Sequence, residues 1–295
     1  MASVSVAQTA SGGVTVVGPP HKRIPVARIL LYVVLGVAGL VAMLPFFWML
    51  FGSFKTGQEL RQIPPSFWPQ TWTFDNYRTI LGDPDLPLLT FYGNSFFVAI
   101  MNVLIGVFVA SLLGFIFAKY TFSWRQPLFW YLLALMMVPP SVLMIPNYLI
   151  LSELGLLNNL WGLIVTVVVD PFAVFVMRQF IVALPDEQLE SARIDGASEW
   201  RIYRSIVLPQ VKPALATLGL LTFMFNWNAY LWPLIVLTET DKRTLPVILT
   251  AYSTQHSAQL NLVMAASVLI VVPVLIFFLF TQRWIVAGLT LTGSK

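Results

Sequence analysis

The sequence predicts an all-α integral membrane protein with six transmembrane helices, from its composition, its long uncharged runs and the placement of its basic residues. Hydrophobic residues make up 58% of the 295 positions and charged residues only 10%. Soluble domains carry about 25% charged residues. So few charges do not cover a chain of this length in water, and the composition therefore favours a lipid bilayer as the solvent.

Six apolar runs match the length that a membrane-crossing helix requires, which is roughly 20 residues for a hydrocarbon layer of about 30 Å. Because the runs are continuously apolar and not alternating, they predict helices and not barrel strands. The fourth in chain order, 160–177, carries one charge, Asp170. The other five carry none: 29–51, 91–118, 127–151, 214–237 and 261–282.

The ends of the chain are expected on the cytoplasmic side. That orientation places twelve Lys and Arg residues in inside segments and five in outside segments, and cytoplasmic loops are the ones enriched in basic residues. An even number of spans also requires both termini to share a side. Residues 1–26 are small, polar and contain Gly and Pro, so we expect a flexible tail there, followed by a transmembrane domain over 27–295.

The inside segment 181–213 has the pattern of two short helices joined by a glycine. Pro185 suits a first helical turn, and acidic residues follow it where the helix dipole favours negative charge. Gly196 can adopt a positive φ and end the first helix, and Ser198 is a good N-cap for the second. An apolar face at helical spacing and two helix-breaking prolines complete the pattern: Trp200, Tyr203 and Val207, then Pro209 and Pro213.

From this pattern alone, an amphipathic structure lying on the lipid surface fits equally well. The stretch also resembles the EAA loop of binding-protein-dependent ABC importer permeases, whose pattern is Glu-Ala-Ala, three residues, Gly, nine residues and Ile-x-Leu-Pro. One position departs from it, where Ser191 replaces the middle Ala. The matching residues are Glu190, Ala192, Gly196, Ile206, Leu208 and Pro209.

In the family that it resembles, this loop is the coupling helix that docks in a cleft of the ATPase subunit. The resemblance implies that Glu190 pairs with a basic residue of the ATPase, that Ser191 and Ala192 permit close approach, and that Gly196 makes the elbow. It also implies that Trp200 and Tyr203 anchor the second helix on the permease core. The full set expected to couple the ATPase is Glu190, Ser191, Ala192, Asp195, Gly196, Trp200, Ile206, Leu208 and Pro209.

Other segments of 27–295 resemble the carbohydrate-uptake branch of the same family, the maltose- and glycerol-phosphate-type permeases. The resemblance implies a type I ABC importer permease fold in the plasma (inner) membrane of a prokaryote. The motifs that carry it are Pro139-Pro140, Ile145-Pro146, Leu154-Gly155-Leu156 with Asn158, Phe225-Asn226-Trp227-Asn228-Ala229-Tyr230, Trp232-Pro233-Leu234, Gln282-Arg283-Trp284 and Gly288-Leu289-Thr290.

Polar residues inside the apolar runs are the candidates for a solute pathway. Asp170 either faces a water-filled pathway or, because Pro171 follows it, caps the second half of a broken helix. Asn226 and Asn228 lie two residues apart and point about 200° from each other on a helix, so at most one faces a pathway and the other bonds a neighbouring helix. Tyr230 and Trp232 complete the candidate set, and Trp227 and Trp232 either stack on a sugar or serve as packing residues.

Three further amides, Asn94, Asn102 and Asn147, are expected to form hydrogen bonds between helices.

No motif for catalysis or nucleotide binding is found in the sequence. There is no G-x-x-x-x-G-K-[ST] loop, no cysteine and no grouping of the two histidines with other metal ligands. We therefore predict that the chain is not an enzyme and binds no cofactor, with ATP and Mg²⁺ on a partner ATPase. The resemblance implies these partners: a second homologous permease chain, two ATP-binding cassette subunits, an extracytoplasmic solute-binding protein and the lipid bilayer, with no nucleic acid.

Two rival functions stay open from the residues alone. One is an ion-coupled secondary transporter that uses Asp170 as its proton or sodium site. Such transporters often show inverted repeats, which this sequence lacks, and this function leaves the EAA pattern unexplained. The other is a membrane assembly protein that transports nothing.

Overall fold

The computed structural model describes residues 26–248 and 259–293, and over these residues it contains helices and turns but no strand. The predicted tail over 1–26 lies outside the described residues apart from Val26. The chain divides into two compact units, one that ends at Trp48 and one that begins at Met49. The described residues of the first unit form the greater part of one long apolar helix. All sites discussed below belong to the second unit.

The helices of the described residues run in the order α1 (Val26–Gly52), α2 (Gly57–Leu60), α3 (Asp75–Leu81), α4 (Leu88–Lys119), α5 (Arg125–Leu135), α6 (Pro140–Glu153), α7 (Leu160–Val165), α8 (Pro171–Val182), α9 (Asp186–Ile194), α10 (Glu199–Ile202), α11 (Leu208–Gln210), α12 (Lys212–Trp227), α13 (Leu231–Val236) and α14 (Leu260–Gly293). A π-helical turn, Tyr203–Val207, joins α10 to α11, and a 3₁₀ turn, Thr240–Lys242, follows α13.

Long helices cover the first, second and sixth apolar runs. In the described parts of the chain, two helices are long and apolar enough to cross a membrane, α4 and the Leu30–Gly52 portion of α1. The total reaches four when each of two sharply bent helix pairs is counted as one span. Shorter apolar helices are α8 and the Leu260–Ile276 portion of α14.

The third, fourth and fifth runs are not single continuous helices. The third bends by 103° between α5 and α6, next to Pro139 and Pro140. The fourth stops after α7 and resumes at Pro171, and the fifth is interrupted between Trp227 and Leu231. A proline lacks the N–H that continues a helix, and its ring restricts the residue before it. Proline therefore accounts for the first two breaks.

A stripe of small residues lets α4 and α8 approach closely. Gly106, Ala110, Gly114 and Ala118 recur at every fourth position of α4 and so share one face. A Cβ atom at Gly114 would lie only 2.7 Å from the Cβ of Met177 on α8. Small residues at such spacing are typical of helix contacts in membranes, and Gly114 is the glycine of the stripe at which the backbone of α8 comes closest.

The apolar core around this contact extends beyond the membrane helices into the segment 181–213. On the membrane side it contains buried residues of α4, α5, α8 and α12, among them Met177 and Leu218. On the other side it contains Leu189 of α9 and the buried residues of the second helix, which consists of α10 and the π-helical turn: Ile202, Tyr203 and Val207. The segment is therefore a packed part of the domain and not a free connector.

At the opposite end of α4, buried polar side chains hold the segment 53–81 in place. Asn76 of α3 donates hydrogen bonds to the carbonyl oxygens of Ser53 at 2.7 Å and Lys55 at 2.9 Å. Its own Oδ1 accepts a hydrogen bond from the Asn261 amide of α14 at 2.7 Å. Three chain segments thus meet at the buried Asn76 amide. Its hydrogen bonds satisfy polar groups that would otherwise be buried without a partner.

Replacing Asn76 with alanine is expected to lower the free energy of unfolding by about 1–3 kcal/mol, because buried polar groups lose their partners. The measurement is thermal or denaturant unfolding of the purified protein in detergent. The control is Arg78→Ala on the same helix, which breaks an ion pair with Asp75 whose side chains are 81% and 75% exposed. Its effect is expected within about 0.5 kcal/mol. Equal effects of the two variants would contradict the prediction.

Candidate functional site

The first helix of the segment, α9, is fixed at its start to the end of α4. Pro185 is its N-cap, one residue earlier than the predicted position in the first turn. Lys119, the last residue of α4, donates hydrogen bonds of 2.6 Å to the Leu184 carbonyl oxygen and to Oδ1 of Asp186. This hydrogen bond, together with the positive charge of Lys119, lowers the pKa of Asp186. A carboxylate in the first helical turn also suits the helix dipole.

The predicted glycine elbow is present. Asp195 is the C-cap of α9, and Gly196 follows it with a φ of +78°. The Ala197 N–H bonds the Ala192 carbonyl oxygen at 2.9 Å, which closes the turn. Ser198 then caps α10 by accepting a hydrogen bond from the Arg201 N–H at 3.3 Å. Both local predictions, the positive φ and the serine N-cap, are confirmed.

The two faces of α9 differ sharply. Leu189 faces the core and is 1% exposed. The opposite face is open, with Glu190, Ser191 and Asp195 all exposed. At its end stands Ile194, an aliphatic side chain that is 86% exposed. The helix therefore presents a charged surface with one apolar tip, while its buried side is anchored to the membrane helices.

The second helix is anchored by Tyr203. This side chain is 1% exposed, and its hydroxyl lies 2.6 Å from the Ser111 hydroxyl of α4. Trp200 remains 54% exposed, and its ring contacts Tyr203 at a centroid distance of 5.3 Å and Phe108 of α4 at 6.4 Å. The expectation that both aromatic residues anchor the helix on the core is therefore confirmed for Tyr203, whereas Trp200 contacts α4 through Phe108 and stays half exposed.

The expected break at Pro209 and Pro213 is displaced. The chain passes from the π-helical turn into α11, which contains Pro209, and bends by 80° at Val211. Both prolines lie in the first turns of α11 and α12, where a missing N–H is tolerated. Ile206 and Leu208, the other residues of the predicted motif, are half-buried against the core.

A carboxylate links the two helices across the elbow. The Arg193 guanidinium of α9 binds Glu199 of α10 through two hydrogen bonds, Nε to Oε1 at 2.7 Å and Nη2 to Oε2 at 3.2 Å. The hydroxyl of Tyr120, the residue after α4, donates to Oε2 at 2.5 Å. The hydrogen bonds from Arg193 and Tyr120 lower the pKa of Glu199. Burial and the neighbouring carboxylate raise the pKa of Tyr120 to about 12.

An apolar groove of about 460 Å³ lies beside this link, and it is lined by Leu112, Phe115, Ile116, Tyr120, Thr121, Phe122, Glu199, Trp200 and Tyr203.

The predicted solute-pathway residues do not form one cluster of contacts. Asp170 caps α8 by accepting the Phe172 N–H at 2.9 Å, which is the second of the two roles expected for it. Trp232 donates its indole N–H to Thr166 Oγ1 at 3.2 Å. Tyr230 is 37% exposed, and Trp227 is fully buried as a packing residue.

The two amides of α12 behave differently, as their spacing predicts. Asn226 accepts a hydrogen bond from the Asn102 amide of α4 at 2.9 Å, so it joins two helices. Asn228 is exposed and donates to the Met224 carbonyl oxygen of its own helix at 2.7 Å. Asn94 donates to the carbonyl oxygens of Asp241 and Arg243. The expected hydrogen bond between helices is thus confirmed for Asn102, Asn94 instead holds the 3₁₀ turn that follows α13, and Asn147 stays a prediction.

A helical membrane chain that carries a packed, glycine-jointed helix pair of this sequence is a permease subunit of an ABC importer. Residues 106–290 match the family described as binding-protein-dependent transport system inner membrane component, and this chain belongs to that family. The match begins within α4 and includes the whole helix pair. In this family the membrane subunit and the ATPase are separate chains, so the chain is a membrane component and not the ATPase.

Named relatives and a solved structure support the assignment over most of the chain. The arabinooligosaccharides transport system permease protein of Halalkalibacterium halodurans is 35% identical over 277 residues, which are 93% of this chain and 99% of that protein. The sn-glycerol-3-phosphate transport system permease protein of Salmonella typhi is 32% identical over 262 residues, with coverages of 87% and 92%. A chain of a bacterial ABC transporter involved in alginate import has 26% identity, a TM-score of 0.77 and coverages of 90% and 99%.

Several residues of the site escaped sequence reasoning. The bonds from Tyr120 to Glu199 and from Lys119 to Asp186 join positions 79 and 67 residues apart, and no local pattern signals such a pair. The Arg193–Glu199 pair spans a turn, so helical spacing rules do not predict it. The small-residue stripe of α4, by contrast, is visible in the sequence as four positions at helical spacing.

Proposed function

We propose that this chain forms half of the translocation pathway of an importer for a carbohydrate or a carbohydrate-related solute. It pairs with a second, homologous permease chain, and two ATP-binding cassette subunits dock below the pair. The observation that carries the proposal is the two-sided character of α9. One face is buried against the membrane helices, and the other is exposed and charged within a region that matches the permease family.

The exposed face of α9 is the proposed ATPase-docking surface. Glu190 supplies a charge for a basic residue of the ATPase, and Ser191, Ala192 and Asp195 lie along the same short helix. Ile194 supplies an apolar anchor, because an aliphatic side chain left 86% exposed gains free energy when a partner covers it. The buried face carries motion of the docked helix into the membrane, and Gly196, Trp200, Ile206, Leu208 and Pro209 shape the connection.

The membrane arrangement that accompanies this function has six spans. We count the three interrupted runs as one span each and place both termini in the cytoplasm. An extracytoplasmic binding protein then delivers solute to the segments 53–90 and 238–260, of which 249–258 lie outside the described residues. ATP and Mg²⁺ are bound by the partner ATPase.

The solute class follows from the named relatives and from the residues after α12. The relatives named above carry arabinooligosaccharides or sn-glycerol-3-phosphate in their names, and the similar structure belongs to an alginate importer. Ligand sites combine aromatic surfaces with a few polar groups. The proposed pathway residues are Asn226, Asn228, Tyr230, Trp232 and Asp170. No observation favours an ion-coupled mechanism, since the Asp170 carboxylate caps α8.

The test is charge reversal at the docking surface. The chain is purified through an affinity tag, and the co-purified ATPase and its stimulation by solute-loaded binding protein are measured. Glu190→Lys is expected to lower stimulation at least tenfold, because a like-charge contact at an interface costs several kcal/mol. Glu153→Lys, an exposed glutamate at the end of α6, is the control and is expected to match the unmodified chain. Absence of any co-purified ATPase, or normal stimulation of Glu190→Lys, would contradict the proposal.

A further inference from the structure

The Glu199 carboxylate holds two structural elements at once. Its Oε1 and Oε2 accept the two hydrogen bonds from Arg193 of α9, at 2.7 Å and 3.2 Å. Oε2 also accepts the hydrogen bond from the Tyr120 hydroxyl at 2.5 Å. Tyr120 is the C-cap of α4, and its N–H bonds the Ile116 carbonyl oxygen of that helix. One carboxylate therefore ties the exposed helix to the end of a long membrane helix.

The position of Arg193 on α9 makes this tie relevant to docking. Arg193 lies three residues after Glu190, so the two residues occupy neighbouring positions on the helix surface. At the other end of α9, Asp186 is bonded to Lys119 at 2.6 Å. The helix is thus attached near both of its ends to consecutive residues, Lys119 and Tyr120, where α4 finishes. A displacement of either end of α9 therefore acts on the same point, the end of α4.

The aromatic residues behind Tyr120 extend this connection into α4. The Tyr120 ring contacts Phe115 at a centroid distance of 5.4 Å, and Phe115 contacts Tyr203 at 5.6 Å. The Tyr203 hydroxyl lies 2.6 Å from Ser111 of α4. The second helix of the segment therefore meets α4 over more than two helical turns.

Stability alone does not explain the charged link. The Arg193 and Glu199 side chains are 38% and 44% exposed, and ion pairs of such exposure add little to the free energy of unfolding. Their paired, charge-assisted hydrogen bonds instead fix distance and orientation. The apolar contacts of Leu189 are non-directional and permit sliding. The link is therefore suited to keeping α9 and α4 in one relative orientation while the ATPase displaces α9.

We propose that Glu199, held between Arg193 and Tyr120, is a positioning residue that makes α9 and α4 move as one rigid body when the ATPase subunits close. This inference rests on the proposed function of α9 as the ATPase-docking helix. It assigns the transmission of that movement to a specific carboxylate outside the resembled motif. Loss of the link leaves the docking surface intact and separates its movement from that of the pathway.

The test uses the absence of cysteine from the chain. Spin labels are attached through Glu187→Cys on α9 and Leu89→Cys near the start of α4, both at exposed positions. The distance between the labels is measured in the purified complex, without nucleotide and after trapping with ATP and vanadate. We expect an unchanged, narrow distance distribution in the otherwise unmodified chain. In Glu199→Gln and Tyr120→Phe, trapping is expected to shift or broaden it while the ATPase still co-purifies.

Charge exchange separates positioning from a general structural defect. Arg193→Glu alone is expected to lower stimulated ATP hydrolysis about fivefold or more, the lower end of measured coupling between sites. Adding Glu199→Arg reverses the pair and is expected to restore at least half of the loss. The control is Glu153→Gln, which changes an exposed glutamate at the end of α6, outside the proposed docking surface and the proposed solute-delivery segments, and it is expected to change neither readout.

The outcomes distinguish this inference from the function on which it rests. If the ATPase co-purifies and the label distances of Glu199→Gln and Tyr120→Phe match the unmodified chain under trapping, the positioning role is wrong while docking at α9 stands. Failure of the reversed pair to restore any stimulation also contradicts the role. If no ATPase co-purifies with the unmodified chain, both proposals fall together.

Discussion

Replacing Gly196 with valine is expected to abolish most of the coupling between ATP hydrolysis and solute, with a loss of about 5- to 150-fold in solute stimulation. Gly196 has a φ of +78°, and no atom lies within 4 Å of the position that a Cβ would occupy, so the effect comes from the backbone and not from crowding. A β-branched residue in this conformation costs on the order of 1–3 kcal/mol. Relief of that strain reorients α9, and a free energy of this size corresponds to the stated range.

Two substitutions make this prediction specific to the elbow. Gly155→Val imposes the same strain elsewhere, since Gly155 has a φ of +66° and equally open surroundings after α6, and it is expected to retain coupling. Gly196→Asn is expected to retain most of the stimulation, because asparagine tolerates the left-handed conformation. The measurement is ATP hydrolysis by the purified complex with and without solute-loaded binding protein. Equal losses of solute stimulation in Gly155→Val and Gly196→Val would contradict the prediction.

Replacing Gly114 with alanine is expected to destabilise the protein by about 1–3 kcal/mol, the usual cost of overpacking a close contact. The added Cβ would lie 2.7 Å from the Met177 Cβ and 2.9 Å from the Arg178 backbone nitrogen. A backbone atom does not rotate away as a flexible side chain does, so α4 and α8 must separate. Their separation loosens the core that also holds Leu189, and coupling is expected to weaken together with stability.

The control variant is expected to change the stability of the protein in the opposite direction. Gly93→Ala is the same change in the same helix, but no atom lies within 4 Å of its Cβ. Alanine in a helix is favoured over glycine by roughly 0.5–1 kcal/mol, so this variant is expected to be slightly more stable. Thermal unfolding in detergent compares the two variants directly. A stabilising effect of Gly114→Ala would contradict the close approach of the two helices.

The local chemistry of single residues made the helix pair predictable. Glycine adopts a positive φ without steric cost, and a serine hydroxyl caps a helix start, so Gly196 and Ser198 could be assigned without tertiary information. The membrane location was equally predictable, because a chain of this length with only 10% charged residues does not have enough of them to cover its surface in water. The EAA pattern identified the permease family, to which residues 106–290 belong.

The interruptions within the apolar runs were less accessible. Hydropathy reports that a segment favours lipid and does not report whether its backbone bends inside it. Pro139, Pro140 and Pro171 permit a break in a helix without fixing its angle or its cap, so the 103° bend and the bond between Asp170 and Phe172 are seen only in the structure. For Asp170 the sequence allowed both a pathway residue and a cap. The hydrogen bond to Phe172 establishes the cap.

The amino-acid sequence therefore specifies the solvent, the family and the local geometry of the Gly196 elbow, because each depends on composition or on neighbours along the chain. The tertiary structure specifies which side of α9 is free, how closely Gly114 approaches Met177, and that Glu199 joins Arg193 to Tyr120. These features depend on atoms that lie dozens of residues apart or across a turn. Only packing brings such atoms within contact distance, and no periodicity of the chain encodes those distances.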